Sequence, residues 1–137
     1  MIEFNYETNF TLKNETIIDN WIQKCIQEDG FKVGEINYVF CDDAYLHKLN
    51  VEFLNHDTLT DIISFDTTLG KIIGGDIFIS VDRVRENSVT FNSSFDQELY
   101  RVMIHGVLHY MGLKDSSEDD KKEMRNKENA CLSELNN

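Results

Sequence analysis

The sequence is poor in the features that would indicate a disulfide scaffold or a membrane protein. Its three cysteines, Cys25, Cys41 and Cys131, are far apart and form no CxxC pair, which argues against a disulfide framework and against a thiolate zinc site. We expect buried free thiols with no disulfide partner. No apolar run approaches the roughly 18 residues that a membrane helix needs, and the segment MIEFNYETNF lacks the basic and apolar regions of a signal peptide. We therefore expect a cytoplasmic protein without membrane contact.

Positive charge is also scarce. The chain has 13 lysines and arginines against 25 aspartates and glutamates, which gives a formal net charge of −12 at pH 7. Because this balance repels phosphates at long range, it argues against tight, non-specific binding of nucleic acid through counterion release. A nucleic-acid substrate would have to be bound by a local basic patch, by a metal ion or by a larger partner.

The chain does contain enough apolar material for one folded domain, which we assign to residues 1–137. It has 137 residues, 41% of them hydrophobic, and no linker, repeat or low-complexity segment interrupts it. Periodicity and capping signals predict strands at residues 1–6, 34–42, 60–68 and 74–81, and helices at 14–30, 42–54, 81–88, 93–112 and 116–135. This order favours an α+β fold, with a small mixed sheet of about four strands packed with about five helices.

Local signals predict several helix ends and core faces. Asn14 is a candidate N-cap, and Ser94 with Gln97 forms a candidate capping box. Phe53 is expected to face the core from the second helix, and Ala130 from the last one.

The strongest chemical signal is the segment HGVLHYMGLKD, residues 105–115. His105 and His109 are four apart on a predicted helix, so their imidazoles project from one face at a spacing that suits one divalent ion. Gly112 then ends the helix and lets the chain turn back, which allows Asp115 to act as a third ligand. The pattern HxxxHxxGxxD has the spacing of the metzincin motif HExxHxxGxxH. We predict one divalent metal ion at these three ligands, with Zn²⁺ as the favoured ion.

Three protein ligands leave one position open for water or substrate, which is typical of a catalytic site. Such an ion can lower the pKa of bound water to about 7 and polarise a phosphoryl or carbonyl oxygen. Gly106 stands where a metalloprotease carries its general-base glutamate, which argues against peptide hydrolysis. The alternative is that the two histidines pack or cap the helix and that Asp115 caps the next one. The spacing favours the metal.

Three blocks of sequence occur in the order found in a known family. They are LNVEFLNHDTLTDIISF (residues 49–65), GGDIFIS and HGVLHYMGLKD. The first resembles the LNxx(Y/F)xxxDxxTDVLSF block of the YbeY family of metal-dependent endoribonucleases, the second its GDI strand, and the third its HGxLHLxGxDH signature. The resemblance covers most of the chain after about residue 35.

This resemblance implies an α+β fold, one zinc-like ion and cleavage of single-stranded RNA in 16S rRNA 3′-end maturation and ribosome quality control. The implied partners are ribosomal RNA and the small ribosomal subunit or a ribosomal protein. His105, His109 and Asp115 fall on the family's metal-ligand positions, where the third is usually His and follows Asp rather than Lys114. Because Asp115 adds a negative charge, bound water should be less acidic and turnover lower. Many members carry Arg where this chain has Leu54.

Further candidates follow from the same blocks. Ser64 and Asp61, in the strand that resembles TDVLSF, are candidate catalytic residues that could orient substrate or a metal-binding imidazole. The alternatives are a buried strand serine and a capping aspartate. His56 is expected to be a solvated turn residue, and His47 to lie on the surface. Basic residues that could replace the missing guanidinium, with plain surface charge as the alternative, are Arg101 for catalysis and Arg83, Arg85 and Lys71 for substrate binding.

Two other functions compete with the nuclease. One is a non-catalytic assembly factor, stabilised by its metal, that binds the ribosome or a ribosomal protein; the acidic surface and Leu54 favour it. The other is a metallohydrolase of another ester or amide, against whose peptidase form Gly106 counts.

Overall fold

Four strands and five helices make up residues 1–135, the part of the chain described by this computed structural model. In chain order they are β1 (Ile2–Tyr6), α1 (Glu15–Glu28), β2 (Lys32–Cys41), α2 (Asp43–Leu54), β3 (Ile62–Asp66), β4 (Ile72–Ser80), α3 (Val81–Thr90), α4 (Phe95–Tyr110) and α5 (Glu118–Leu135). The predicted α+β fold is confirmed. No helix within residues 1–135 is long and apolar enough to cross a membrane.

The four strands form one mixed sheet in the order β1-β2-β4-β3. β1 and β4 both pair in parallel with β2, whereas β3 runs antiparallel to β4 as the first arm of a hairpin. Parallel neighbours require crossover connections, which α1 supplies between β1 and β2. The edge position of β1 and the hairpin of β3 and β4 both agree with the sequence analysis.

Side chains alternate between the two faces of the sheet and build two cores. Ile77 and Ile79 of β4 belong to the large core, which α1, α4 and α5 help to form. Between them, Phe78 points the other way and packs on a small cluster of Cys41, Leu46 and Ile63 under α2. All three cysteines are buried and free, as expected. The large core positions α4, which carries the two histidines of the motif.

Two local predictions were wrong, and those of the N-cap position and the capping box were right. The Ser94 hydroxyl accepts from the Gln97 N–H while the Gln97 side chain accepts from the Ser94 N–H. Asn14 is the N-cap residue of α1, as predicted, but it takes a left-handed conformation, with φ of 57°, and its side chain makes no capping bond. Phe53 is 63% exposed, because the last turn of α2 reaches only the edge of the small cluster, where its ring meets Phe65.

The second wrong prediction was Ala130, which is exposed on α5. The buried positions of this helix are Met124, Glu128 and Cys131, spaced by four and three residues. Ala130 falls off this stripe. A glutamate therefore occupies the buried face at the point where α5 passes the histidine helix.

Candidate metal centre and cleft

Helix α4 lies close against β4, and two glycines allow the approach. A Cβ added to Gly106 would lie 3.1 Å from Ile77 Cδ1 and 3.2 Å from Ile62 Cδ1, so the residue after His105 must be small for the helix to sit on the sheet. At Gly75 an added Cβ would lie 2.7 Å from the Tyr110 ring, whose hydroxyl donates to the Asp76 carbonyl at 3.0 Å. These contacts fix the end of α4 relative to β4.

A buried carboxylate orients the first histidine of the motif. His105 Nδ1 lies 2.7 Å from Glu128 Oε2, and Glu128 is only 5% exposed. Since a carboxylate oxygen accepts, Nδ1 carries the hydrogen, and neutral His105 keeps the Nε2 lone pair for a ligand. The hydrogen bond with Glu128 raises the pKa of His105 in spite of burial. Burial alone would raise the pKa of Glu128, but the hydrogen bonds from His105 and Arg101 lower it.

A hydrogen bond through Nδ1 also orients the ring of the second histidine. His109 is exposed at the end of α4, and its Nδ1 lies 3.1 Å from the Leu113 carbonyl oxygen. A carbonyl oxygen accepts only, so Nδ1–H donates and Nε2 is left for a ligand. The backbone turn after Gly112, with φ of 104°, makes this contact possible.

Asp115 lies on the same side as His105. Its Oδ2 is 3.8 Å from His105 Nε2, and both residues line one cleft. Two imidazole nitrogens and a carboxylate oxygen are the donor types that Zn²⁺ prefers, and the ring orientations suit binding through Nε2. Across residues 1–135, no group of three or more His, Cys, Asp or Glu side chains stands ready-assembled for a metal ion. The three side chains thus fit an ion by donor type. His105 and Asp115 meet in the cleft, whereas His109 is not among the lining residues, and the assignment of all three as ligands stays a prediction.

The cleft lies between α4, α5 and the start of β3, and has a volume of about 540 Å³. Its charged walls carry both signs. The acidic residues are Asp61, Glu98, Asp115 and Glu128, and the basic ones are Arg101, Lys121 and Arg125. The cleft is therefore not a basic patch, and its positive charge comes from the helices rather than from the sheet.

Two of these carboxyl groups are poorly solvated. Burial raises the pKa of Asp61 and also that of Glu98, and the negative charge of Asp61 raises the pKa of Glu98 further. Asp61 is near enough to His105 that the histidine charge opposes the shift. A carboxyl group whose pKa is raised in a cleft is suited to proton transfer, and Asp61 was a predicted catalytic candidate.

Arg101, the other predicted catalytic residue in the cleft, is already paired. Its Nη1 donates to Glu128 Oε1 and its Nη2 to Asn129 Oδ1, both at 2.9 Å. Glu128 thus joins Arg101 and His105, one turn apart on α4, to α5. Ser64 is not a lining residue of the cleft; its hydroxyl lies beside the Tyr110 phenol instead.

The three predicted substrate-binding residues also lie outside the lining of the cleft. Arg83 Nε pairs with Asp43 at 3.1 Å, Arg85 lies over the Phe95 ring and Lys71 over the Phe31 ring. Each is engaged by another side chain, and none lines the cleft. The minor histidines are outside it as well: His56 is exposed, and His47 Nε2 contacts Asp57 at 2.7 Å.

Sequence reasoning missed several residues of the cleft, among them Glu98 on α4, Phe91 after α3 and three charged residues on α5. The three on α5 are Lys121, Arg125 and Glu128. The spacing of four and three residues places them on one helical face, and Glu128 follows the packing residue Met124 by one turn. That periodicity was a usable signal. It was missed because the charged residues of α5 are more simply explained as a solvated helix face.

Comparisons with known proteins match this chain over nearly its whole length. The profile of a family described as endoribonuclease YbeY matches residues 2–136. An endoribonuclease YbeY of Flavobacterium johnsoniae is 59% identical over 128 residues, which cover 93% of this chain and 92% of the relative. One from Flavobacterium psychrophilum is 56% identical over 132 residues, covering 96% and 94%. The solution structure of TM1509 from Thermotoga maritima superposes with a TM-score of 0.71 at 26% identity, covering 98% of this chain and 89% of that one.

The protein is an α+β domain with a histidine-bearing helix over a mixed sheet and a charged cleft beside it. The family match places it in the class of nuclease hydrolases. The chain belongs to the endoribonuclease YbeY family. The resemblance inferred from its three sequence blocks is confirmed.

Proposed function

We propose that this chain is a zinc-dependent, single-strand-specific endoribonuclease that acts in 16S rRNA 3′-end maturation and ribosome quality control in the cytoplasm. The observation that carries the proposal is the orientation of His105, whose Nδ1 is held by buried Glu128 while Nε2 faces Asp115 in the cleft. Membership of a family whose relatives are named endoribonucleases supports RNA as the substrate.

In this proposal His105, His109 and Asp115 hold one divalent ion. The ion, when bound, supplies Lewis-acid polarisation of the scissile phosphodiester. Glu128 keeps the His105 ring in the orientation that leaves Nε2 for the ion, as carboxylates behind metal-binding histidines commonly do. The chain's own residues then bind and orient the RNA.

The cationic residues of the cleft have separate tasks. Lys121 and Arg125, exposed on α5, are placed to bind phosphates of the RNA backbone. Arg101 is held by Glu128 and Asn129, so its guanidinium presents a fixed positive charge where negative charge develops on the phosphate. Asp61, with its raised pKa, is the carboxyl group we assign to proton transfer.

The proposed function is tested by metal content and RNA cleavage measured on the same preparations. Wild type, His109→Ala and, as a matched control, His56→Ala would be purified identically, since His56 is an exposed histidine that is not one of the three predicted ligands. We expect about one zinc per chain and cleavage of single-stranded but not duplex RNA in wild type and in the control. Both should be lost in His109→Ala without unfolding. Equal cleavage by all three proteins would reveal a contaminating nuclease and refute the assignment.

One observation favours a second candidate. With a net charge of −12, the chain would approach a basic ribosomal protein more readily than bare RNA, as a non-catalytic assembly factor would. Stoichiometric zinc with no RNA cleavage by wild type would support that function. Metal-dependent turnover of only a non-nucleotide ester or amide would support a different hydrolase.

A further inference from the structure

One aromatic side chain lies in the cleft without being part of the core. Phe91, the residue that follows α3, is 62% exposed and lines the cleft together with Arg101, Lys121 and Arg125. Among residues 1–135, no other aromatic ring stacks on it and no cation lies over it. Single exposed apolar side chains are common on protein surfaces, but this ring stands in the wall of the charged cleft, where its face is accessible to a bound ligand.

The backbone that carries Phe91 is fixed by a Schellman motif. The Ser93 N–H donates to the Ser88 carbonyl at 2.9 Å, and the Asn92 N–H donates to the Val89 carbonyl at 3.2 Å. Asn92 takes the left-handed conformation that this motif requires, with φ of 54°. Phe91 itself donates to the Asn87 carbonyl at 2.9 Å. The ring is therefore presented by an ordered turn, which lowers the entropy lost when a ligand covers it.

The charges of the cleft explain why an apolar contact is needed. Three basic side chains face four acidic ones there, and one of the three, Arg101, is already paired with Glu128. On a chain of net charge −12, phosphate contacts alone give a strand little affinity. Stacking of a nucleobase on an aromatic ring requires no net charge and works with every base.

We propose that Phe91 is a stacking platform for an unpaired nucleobase of the RNA strand, and that it selects single strands. The inference rests on the proposed function, since it assigns a binding role within the same cleft. In a duplex the base faces are covered by neighbouring pairs, whereas an unpaired base can turn its face onto the ring. The neighbouring Lys121 and Arg125 would then contact the phosphates that flank this base.

The test compares the affinity of zinc-loaded protein for two short single-stranded 2′-O-methyl RNAs, which resist cleavage. One carries all its bases and the other has abasic sites. We expect Phe91→Ala to weaken binding of the base-bearing strand on the order of tenfold, and to leave binding of the abasic strand unchanged. Phe91→Tyr should bind as wild type does. The matched control is Phe53→Ala, since Phe53 is 63% exposed but lies outside the cleft.

A second readout reports the contact itself. In Phe91→Trp, the fluorescence of the new indole should be quenched when the base-bearing strand binds, and should not change when the abasic strand binds. The native Trp21 is only 5% exposed and gives a constant background. Because stacking releases no counterions, the salt dependence of affinity should be the same in wild type and in Phe91→Ala.

The two proposals fail in different ways. If wild type binds the base-bearing strand and Phe91→Ala binds it equally well, the stacking platform is refuted and the nuclease proposal stands. If wild type binds neither strand, both are refuted.

Discussion

Glu128 should be the most stabilising charged residue of the cleft. Its carboxylate accepts from Arg101 Nη1 at 2.9 Å and from His105 Nδ1 at 2.7 Å, and it is 5% exposed. Removing one partner of a buried ion pair costs about 3–5 kcal/mol. Arg101 keeps its bond to Asn129, and His105 can become neutral, so we expect the lower end for Glu128→Ala. The free energy of unfolding should fall by about 3 kcal/mol, out of the roughly 7–20 kcal/mol that a domain of this length commonly has.

The assay is urea unfolding of metal-free protein followed by circular dichroism. Glu128→Gln keeps the shape of the side chain and one acceptor oxygen. Its free energy of unfolding should therefore fall by a smaller amount, about 1–2 kcal/mol. Glu123→Ala, an exposed glutamate on the same helix, should stay within about 0.5 kcal/mol of wild type. If the free energy of unfolding of Glu128→Ala falls no more than that of this control, the contacts of Glu128 with Arg101 and His105 do not stabilise the fold.

A separate measurement asks whether Glu128 acts on the metal site. Since it orients His105, Glu128→Gln should weaken zinc binding about 10- to 100-fold, measured by competition with a chromogenic chelator. Unchanged zinc affinity in a folded Glu128→Gln protein would contradict the proposed orientation.

Three further perturbations test the packing of α4 and the metal. Gly75→Ala would place a Cβ 2.5 Å from the Phe65 carbonyl oxygen at a φ of +152°, so unfolding free energy should drop by about 3 kcal/mol or more; a midpoint in urea like that of wild type would contradict the close approach. Tyr110→Phe removes the hydrogen bond to the Asp76 carbonyl and should cost about 1 kcal/mol by the same assay, with no change expected for the exposed Tyr45→Phe. Zinc added to metal-free wild type should raise the melting temperature, and a chelator should reverse the shift; no shift at saturating zinc would count against the site.

Helix α5 holds the cleft together by contacts that span the chain. It is tied to α1 by the Trp21 Nε1 donor to the Cys131 carbonyl at 2.7 Å and by Lys127 Nζ to Asp29 at 2.9 Å. It is tied to α4 through Glu128. Since α5 also supplies Lys121 and Arg125, docking of this helix completes the cleft wall.

Much of the fold could be predicted from local sequence patterns. Alternation in GGDIFISV and the Ser94–Gln97 pair each indicated an element that the structure contains. These signals depend on residues within about one helical turn or a few strand positions, so they can be recognised without tertiary structure. The order of the three sequence blocks likewise identified the family.

The predictions that failed depend on where an element ends up. Phe53 fits a helical apolar stripe, but the small cluster beneath α2 stops short of it. Tertiary structure also decides which partners Arg83 and Lys71 meet. Both are engaged outside the cleft, and their role in substrate binding stays a prediction.

The sequence by itself determined the helix that carries His105 and His109, the turn at Gly112 and hence the donor types available to a metal ion. Only the tertiary structure decided which charges surround them. It placed Glu128 behind His105, across 23 residues of chain, and left Phe91 exposed in the cleft wall. The physical reason is that ligand spacing is set by the 3.6-residue helical repeat, whereas burial and pairing of charges are set by how separate helices pack.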